Sequence, residues 1–433
     1  MTDATAPAPS ASHTTGGAFY RLVWKWHFLA SLYVLPFMTM LAITGGIYLY
    51  KPQIENWLYE DRMHVEVAGP ALPLASQIAA LKEHSGITRL RGVTSFDDPS
   101  RSTFLEFNDS QKVRSYAWVN PYTGEVLGAV ARDETVMRLL KKFHGELLLG
   151  KFGTKFVELS AHWAIVMFIT GAYLWWPRGN RSLKQAIRPP KGSPKHGRSW
   201  WRETHLFTGL LATVLVVPIL ITGLPWTDVW GGGLSYVQSE TGQKSQSLRF
   251  SRSAPNSTAS EGTQIAYEEV FAIAKAEGLK APYEMRPPRN ERAAFWVRSA
   301  SSNRFEQSEL IVDQYSGDIL RRFNFSENPP VAKAVSLGIS FHQGELYGRV
   351  NLIQNTMAAI LAFVLAITGF VAWWKRRPAG KLGVPHAPEA ALSPMMIILV
   401  IFLSVLLPLV GASLIVALIL DWLLFQRLGW FRT

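Results

Sequence analysis

Cysteine is absent from the 433-residue chain, which removes disulfide frameworks, thiolate zinc sites, iron–sulfur clusters, c-type haem attachment and cysteine nucleophiles together. Any metal or redox chemistry must use His, carboxylates, Met or Tyr, and ten His are present. Also missing are a glycine-rich phosphate loop, a dinucleotide fingerprint after a strand, a Ser/His/Asp elbow and a His-Glu-x-x-His helix. The chain therefore carries no nucleotide-binding domain of its own. If it moves electrons, the donor is a quinol, a flavin or a partner protein. Acidic residues are few, 32 Asp+Glu against 44 Lys+Arg for a formal charge of +12.

What is abundant is apolar sequence, 48% of the chain. Five stretches have the roughly 20 apolar residues that cross about 30 Å of hydrocarbon: about 22–50, 155–177, 203–226, 352–374 and 394–425. The chain is expected to be an integral α-helical membrane protein. The first run is too long for a signal peptide, is interrupted by Pro36 and lacks a small-residue cleavage site, so it reads as a retained helix. The fifth fits one tilted helix or a hairpin broken near Pro408 and Gly411, and is read as one span.

Between the second and third runs stand Arg178, Arg181, Lys184, Arg188, Lys191, Lys195, Arg198 and Arg202, with no acidic residue among them. The positive-inside rule makes that loop cytoplasmic. Lys375, Arg376, Arg377 and Lys381 after the fourth run agree, as do Arg21 and Lys25 before the first. The basic excess is thus topology and contact with membrane lipid; no recognition module accompanies it, so no nucleic-acid partner is expected.

The resulting order is a disordered cytoplasmic tail (1–18), a first span (19–50), an outer module (51–154), a second span (155–177) and a basic cytoplasmic loop (178–202). A third span (203–226), a second outer module (227–351), a fourth span (352–374), a cytoplasmic loop (375–393), a C-terminal span (394–425) and a tail (426–433) follow. In a bacterial cell the modules then lie in the periplasm.

An internal repeat organises the chain. Phe143-His144, Gly150-Lys151, Ile169-Thr170-Gly171 and Trp175-Trp176 recur 198 residues on as Phe341-His342, Gly348-Arg349, Ile367-Thr368-Gly369 and Trp373-Trp374. His27 and Ile43-Thr44-Gly45 recur 178 residues on as His205 and Ile221-Thr222-Gly223. Each half is helix, outer module, helix, and both halves run the same way through the membrane. Within the modules, Val119-Asn120-Pro121-Tyr122-Thr123-Gly124-Glu125 parallels Val312-Asp313-Gln314-Tyr315-Ser316-Gly317-Asp318, a hairpin signal. Helix-period segments at about 74–84 and 266–277 precede strand candidates at 102–107 and 294–299, so two small α+β modules are expected, with 240–263 as loop.

The repeat singles out histidines. His27 and His205 lie just inside the cytoplasmic ends of equivalent helices. One such residue alone reads as an interfacial side chain. Two related by a pseudo-two-fold axis can face each other, as a bis-histidine b-type haem requires. His144 and His342 form a second equivalent pair toward the outer side; they either cap or pack at a helix entrance or hold a second haem. His162, whose repeat mate is Ile360, either replaces His144 as a ligand or hydrogen-bonds a backbone carbonyl. The Ile-Thr-Gly triplets permit close helix approach or room for a flat macrocycle.

The ordered set Arg202-Glu203-Thr204-His205, Thr222-Gly223-Leu224-Pro225-Trp226, Phe341-His342-Gln343-Gly344-Glu345, Thr170-Gly171 and Trp175-Trp176-Pro177-Arg178, with Asn120-Pro121-Tyr122-Thr123-Gly124-Glu125, resembles the PepSY-associated transmembrane helix family. It is most similar to that family's FoxB/PiuB-like siderophore-reductase branch, over roughly residues 18–380. The resemblance implies an inner-membrane oxidoreductase with two PepSY-like periplasmic modules and two b-type haems. His27, His205, His144 and His342 are then the axial iron ligands, and periplasmic ferric siderophore is reduced to release Fe(II). Tyr122 and Tyr315 are candidates to dock the chelate. The alternatives are a haem-free PepSY-type regulatory or binding protein, and a haem electron-transfer subunit for another periplasmic acceptor.

Overall fold

The computed structural model describes residues 15–178, 182–187, 197–248, 255–258, 262–386 and 393–423. Residues 1–14 of the expected tail, Arg181, Arg188, Lys191 and Lys195 of the basic loop, parts of the 240–263 loop and the tail after 423 lie outside the described residues.

From the N-terminal side run α1 (Thr15–Tyr48), the short α2 (Lys51–Leu58) and α3 (Glu60–Met63), α4 (Leu74–Ser85), and strands β1 (Arg89–Ser95), β2 (Thr103–Asn108), β3 (Arg114–Val119) and β4 (Val126–Ala131). Then come α5 (Val136–Glu146), α6 (Gly150–Trp175), one turn as α7 (Leu183–Ala186), α8 (Arg198–Gly223), α9 (Val229–Glu240) and α10 (Tyr267–Ala276). Strands β5 (Tyr283–Arg286), β6 (Phe295–Ser299), β7 (Ser308–Val312) and β8 (Ile319–Asn324) lead to α11 (Pro330–His342), α12 (Arg349–Trp374), α13 (Pro394–Leu406) and α14 (Pro408–Asp421).

Helices α1, α6, α8 and α12 are long and apolar enough to cross a bilayer, and the chain is a multi-pass membrane protein. Both α1 and α8 pack against α6 and α12, so the four close a ring with α1 diagonal to α8. Buried Ala42, Phe168, Ala212, Val216, Ala358 and Ala362 fill its middle, and the four alanines among them let the helices approach closely. At the basic end, guanidinium groups sit on aromatic faces: Arg178 over Tyr20 (4.4 Å), Arg376 over Trp24 (5.0 Å) and Arg377 over Trp374 (3.6 Å).

The two modules are not the separate units that the repeat suggested. Their strands form one eight-stranded antiparallel sheet in the order β4-β3-β2-β1-β5-β6-β7-β8. The seam is the pairing of Val93 with Met285, Thr94 with Glu284 and Ser95 with Tyr283. Two lone four-stranded sheets would each expose the edge of their first strand; pairing β1 with β5 satisfies both edges. Gly92 lets the strands close, since a Cβ there would stand 3.3 Å from the Met285 carbonyl oxygen. Helices α4 and α10 lie on one face over a common core in which Leu81, Val93, Leu105, Val270, Met285, Phe295 and Val297 are buried. The two hairpin turns match in detail: Oδ1 of Asn120 accepts from the Tyr122 N–H (2.9 Å), and Oδ1 of Asp313 from the Tyr315 N–H (2.8 Å). Gly124 and Gly317 both adopt φ +77°.

Because the core is shared, Leu105→Ala is expected to destabilise both halves of the sheet, by about 2–5 kcal/mol. Amide exchange should accelerate in β6 and β7 as well as in β2; exchange confined to the first four strands would contradict a common core.

The expected single C-terminal span over 394–425 is instead a hairpin of α13 and α14. Leu407 leaves helical conformation (φ −124°, ψ 78°), and Pro408, which has no N–H to continue the ladder, starts the next helix. A Cβ on Gly411 would stand 2.8 Å from Cβ of Ser404, so the absence of a side chain permits the fold-back. Trp163 Nε1 donates to Ser413 Oγ (3.1 Å) and Trp230 Nε1 to the Leu406 carbonyl (3.1 Å), tying the hairpin to α6 and α9.

Candidate functional site

Each of the four repeat-paired histidines lies against the Thr-Gly turn of a neighbouring helix. His27 on α1 places Nδ1 2.9 Å from Oγ1 of Thr170 on α6. His144 on α5 places Nδ1 2.8 Å from Oγ1 of Thr44 on α1. His205 on α8 has Nδ1 3.1 Å from the Leu365 carbonyl of α12, and His342 on α11 has Nδ1 2.9 Å from the Ile219 carbonyl of α8.

These partners determine the tautomer. The carbonyls only accept, so Nδ1 of His205 and of His342 donates. The Thr170 hydroxyl already donates to the Val166 carbonyl (3.0 Å), and that of Thr44 to the Met40 carbonyl (2.7 Å). Both hydroxyls must then accept from the imidazole. All four rings carry their proton on Nδ1 and hold a lone pair on Nε2, which makes no hydrogen bond among the described residues. This is the arrangement of a metal-binding imidazole, whose second nitrogen is anchored to a backbone or side-chain oxygen.

Glycine makes the seats. A Cβ would stand 2.9 Å from His205 Cε1 at Gly369, 3.0 Å from His342 Cε1 at Gly223, 3.1 Å from His144 Cε1 at Gly45, and 3.4 Å from His27 Cε1 at Gly171. Trp226 stacks edge-on against His342 at 5.3 Å. Burial, with a smaller contribution from His342, holds the His144 imidazole down at about 4, so it is neutral at neutral pH.

His27 and His205 are near enough to act on each other electrostatically, as are His144 and His342. The first pair lies at the basic end of the ring, the second at the sheet end. Along α8, His205 and the Ile219 turn that seats His342 are 14 residues apart, about 21 Å of helix. Among the described residues no group of three or more His, Asp or Glu is gathered as for a bare metal ion. Two neutral imidazoles instead suit a metal whose remaining ligands come from a macrocycle.

Residues 24–376 match the family described as the PepSY-associated TM region. The chain belongs to this family. No curated protein matches it. In this PepSY-associated chain the matched region takes in all four paired histidines and all four Ile-Thr-Gly triplets.

His162 joins neither pair, and it makes no hydrogen bond to a backbone carbonyl. It is fully buried on α6 beside Glu158. Tyr122 and Tyr315 are occupied within the modules, their hydroxyls donating to the carbonyls of Pro99 (2.8 Å) and Glu291 (3.0 Å). Sequence reasoning read the Ile-Thr-Gly triplets as room for helices or a macrocycle; what they receive is imidazole. The signal was a count: four triplets for four repeat-paired histidines. Glu158 was missed, because a lone acidic residue in an apolar run carries no repeat to mark it.

Proposed function

We propose that this PepSY-associated protein is an inner-membrane oxidoreductase that holds two b-type haems and delivers electrons to a periplasmic ferric siderophore, releasing iron as Fe(II). His27 with His205 and His144 with His342 would hold the two haem irons. The observation that carries the reading is that four half-buried imidazoles, in two symmetric pairs, all present an unengaged Nε2 while Nδ1 is anchored. Bound there, haem supplies a one-electron redox centre.

The chain's own residues do the rest. Thr170, Thr44 and the carbonyls of Leu365 and Ile219 fix ring orientation and tautomer. The glycines admit the rings, and the packed alanine layer between the two pairs keeps water out. Arginines and tryptophans at one end of the ring support a cytoplasmic basic face and, with it, a periplasmic location for the sheet at the other end. The similarity to the siderophore-reductase branch supports a ferric chelate as acceptor. Hard oxygen ligands hold Fe(III) far more tightly than the less charged Fe(II), so reduction releases the metal.

The test is purification in mild detergent, with oxidised and dithionite-reduced spectra and a pyridine haemochrome count. About two b-type haems per chain are expected, reoxidised by added ferric siderophore with Fe(II) captured by a chelating dye. No haem after haem-supplemented expression would overturn the reading in favour of a regulatory membrane protein. Haem that ferric siderophore fails to reoxidise would point to another periplasmic acceptor.

A further inference from the structure

One buried polar pair takes no part in seating the four imidazoles. Glu158 and His162, one turn apart on α6, are both fully buried, with Nε2 of His162 3.8 Å from Oε1 of Glu158. Neither ring nitrogen of His162 has a hydrogen-bond partner among the described residues. Glu158 is engaged on its other side: its oxygens accept the backbone N–H groups of Val229 (3.0 Å) and Trp230 (2.7 Å), the first turn of α9. Two amide donors and the positive end of a helix hold it as an acceptor. Among the described residues no lysine or arginine pairs with this buried carboxylate, and the imidazole beside it makes no hydrogen bond. One additional proton supplies both needs.

The repeat shows that this pair is an addition. At the equivalent positions 198 residues on stand Thr356 and Ile360. There the groove between α1, α2 and α12 is apolar, about 570 Å³, and opens outward. The equivalent groove over Glu158 and His162 is covered by the C-terminal hairpin, with Leu407, Val410 and Leu414 packed on Leu224, Trp163 and Trp230. Lipid can face an apolar groove, whereas a polar pair at membrane depth must be enclosed by protein. The hairpin covers the one of the two grooves that carries a polar pair. His162 also lies 8 residues from Thr170, about 12 Å along α6, on the way from the basic-end histidines to the sheet-end ones.

We infer that Glu158 and His162 form an internal proton site: the imidazole takes up one proton when an electron enters the helix ring and returns it when the electron leaves. The inference rests on the redox function proposed above. One electron and one proton are gained together, the proton drawn from water; His162 becomes imidazolium, its new N–H faces Glu158, and no other bond changes. Negative charge added to a low-dielectric interior is stabilised by a cation formed within it. Other titratable groups on the elements packed around this stretch include Lys151 and Lys155 on α6, Tyr33 and the anchored His27 on α1, Glu146 and the anchored His144 on α5, the anchored His205 on α8, Asp228 before α9 and Asp421 at the end of α14. None makes a hydrogen bond or ion pair with either member of the pair.

Redox titration of the haem-loaded protein across a pH series tests this. The reduced state binds the extra proton, so the midpoint potential should fall as pH rises, approaching about 59 mV per pH unit for one proton per electron. In His162→Ile, which installs the repeat mate's own residue, the slope should vanish while the haem count and spectrum stay native. Glu158→Gln, isosteric but uncharged, should flatten it as well. Infrared difference spectra should show an imidazolium band on reduction that His162→Ile lacks. A native potential independent of pH, or an undiminished slope in His162→Ile, overturns the inference with the redox function intact. A chain without haem overturns that function, and this inference with it, before any titration begins.

Discussion

His205→Ala should cut the haem content by half, from about two to about one per chain, while the protein still inserts and purifies. On the proposed assignment the imidazole anchored to the Leu365 carbonyl would be one of two haem-holding side chains in the basic-end pair, and a lone His27 would hold the group with one protein donor instead of two. The sheet-end pair should survive, because it is seated by Thr44 and Ile219, about 21 Å of helix away. His342→Ala should remove the other centre, and the two residual spectra should sum to the native one. Free imidazole added to His205→Gly should restore the lost band, since the cavity left has the shape of the missing ligand. A native spectrum in His205→Ala would sink the assignment.

The second large effect is expected from a methyl group. Gly369→Ala places Cβ 2.9 Å from Cε1 and 3.2 Å from Nδ1 of His205, closer than atoms pack, against a ring pinned by its hydrogen bond to Leu365. The ring must move, and Nε2 turns with it, so the basic-end haem should be lost almost as completely as in His205→Ala. Gly223→Ala, at 3.0 Å from His342, should act similarly on the sheet-end centre. Gly171→Ala is the control: its Cβ would meet His27 at an ordinary 3.4 Å, and haem content should stay near native. Equal tolerance of all three would show that the glycines serve helix approach alone. This series separates seating from ligation, because none of the three glycines can bind iron.

Much of this was legible in the chain. The four bilayer-crossing helices follow from apolar runs bounded by basic clusters, a pattern that depends only on composition along the sequence. The pairing of His27 with His205 and of His144 with His342 follows from the repeat, since equal sequence offsets place equal residues at equal depth. The hairpin turns at Asn120 and Asp313 were readable because an Asx turn and its glycine are local. The C-terminal run was misread because an apolar run of that length satisfies both one tilted helix and two short ones. Pro408 and Gly411 decide only once Ser404 and Trp163 give the second helix something to fold against.

The sequence alone determined the membrane class, the two-fold plan and the identity of the histidines, all of which rest on periodicity, charge and repetition. Tertiary structure decided what those residues do to one another. The seam between β1 and β5 joins segments nearly two hundred residues apart, and nothing in either strand names its partner. The tautomer of each histidine depends on whether its neighbour is a carbonyl or an already-donating hydroxyl, which is a matter of contact across helices. The surroundings of Glu158 and His162 depend on α9 meeting the carboxylate and on a hairpin packing against the neighbouring Trp163 and Trp230. Local pattern fixes which groups are present, whereas hydrogen-bond direction and dielectric surroundings belong to the packed chain.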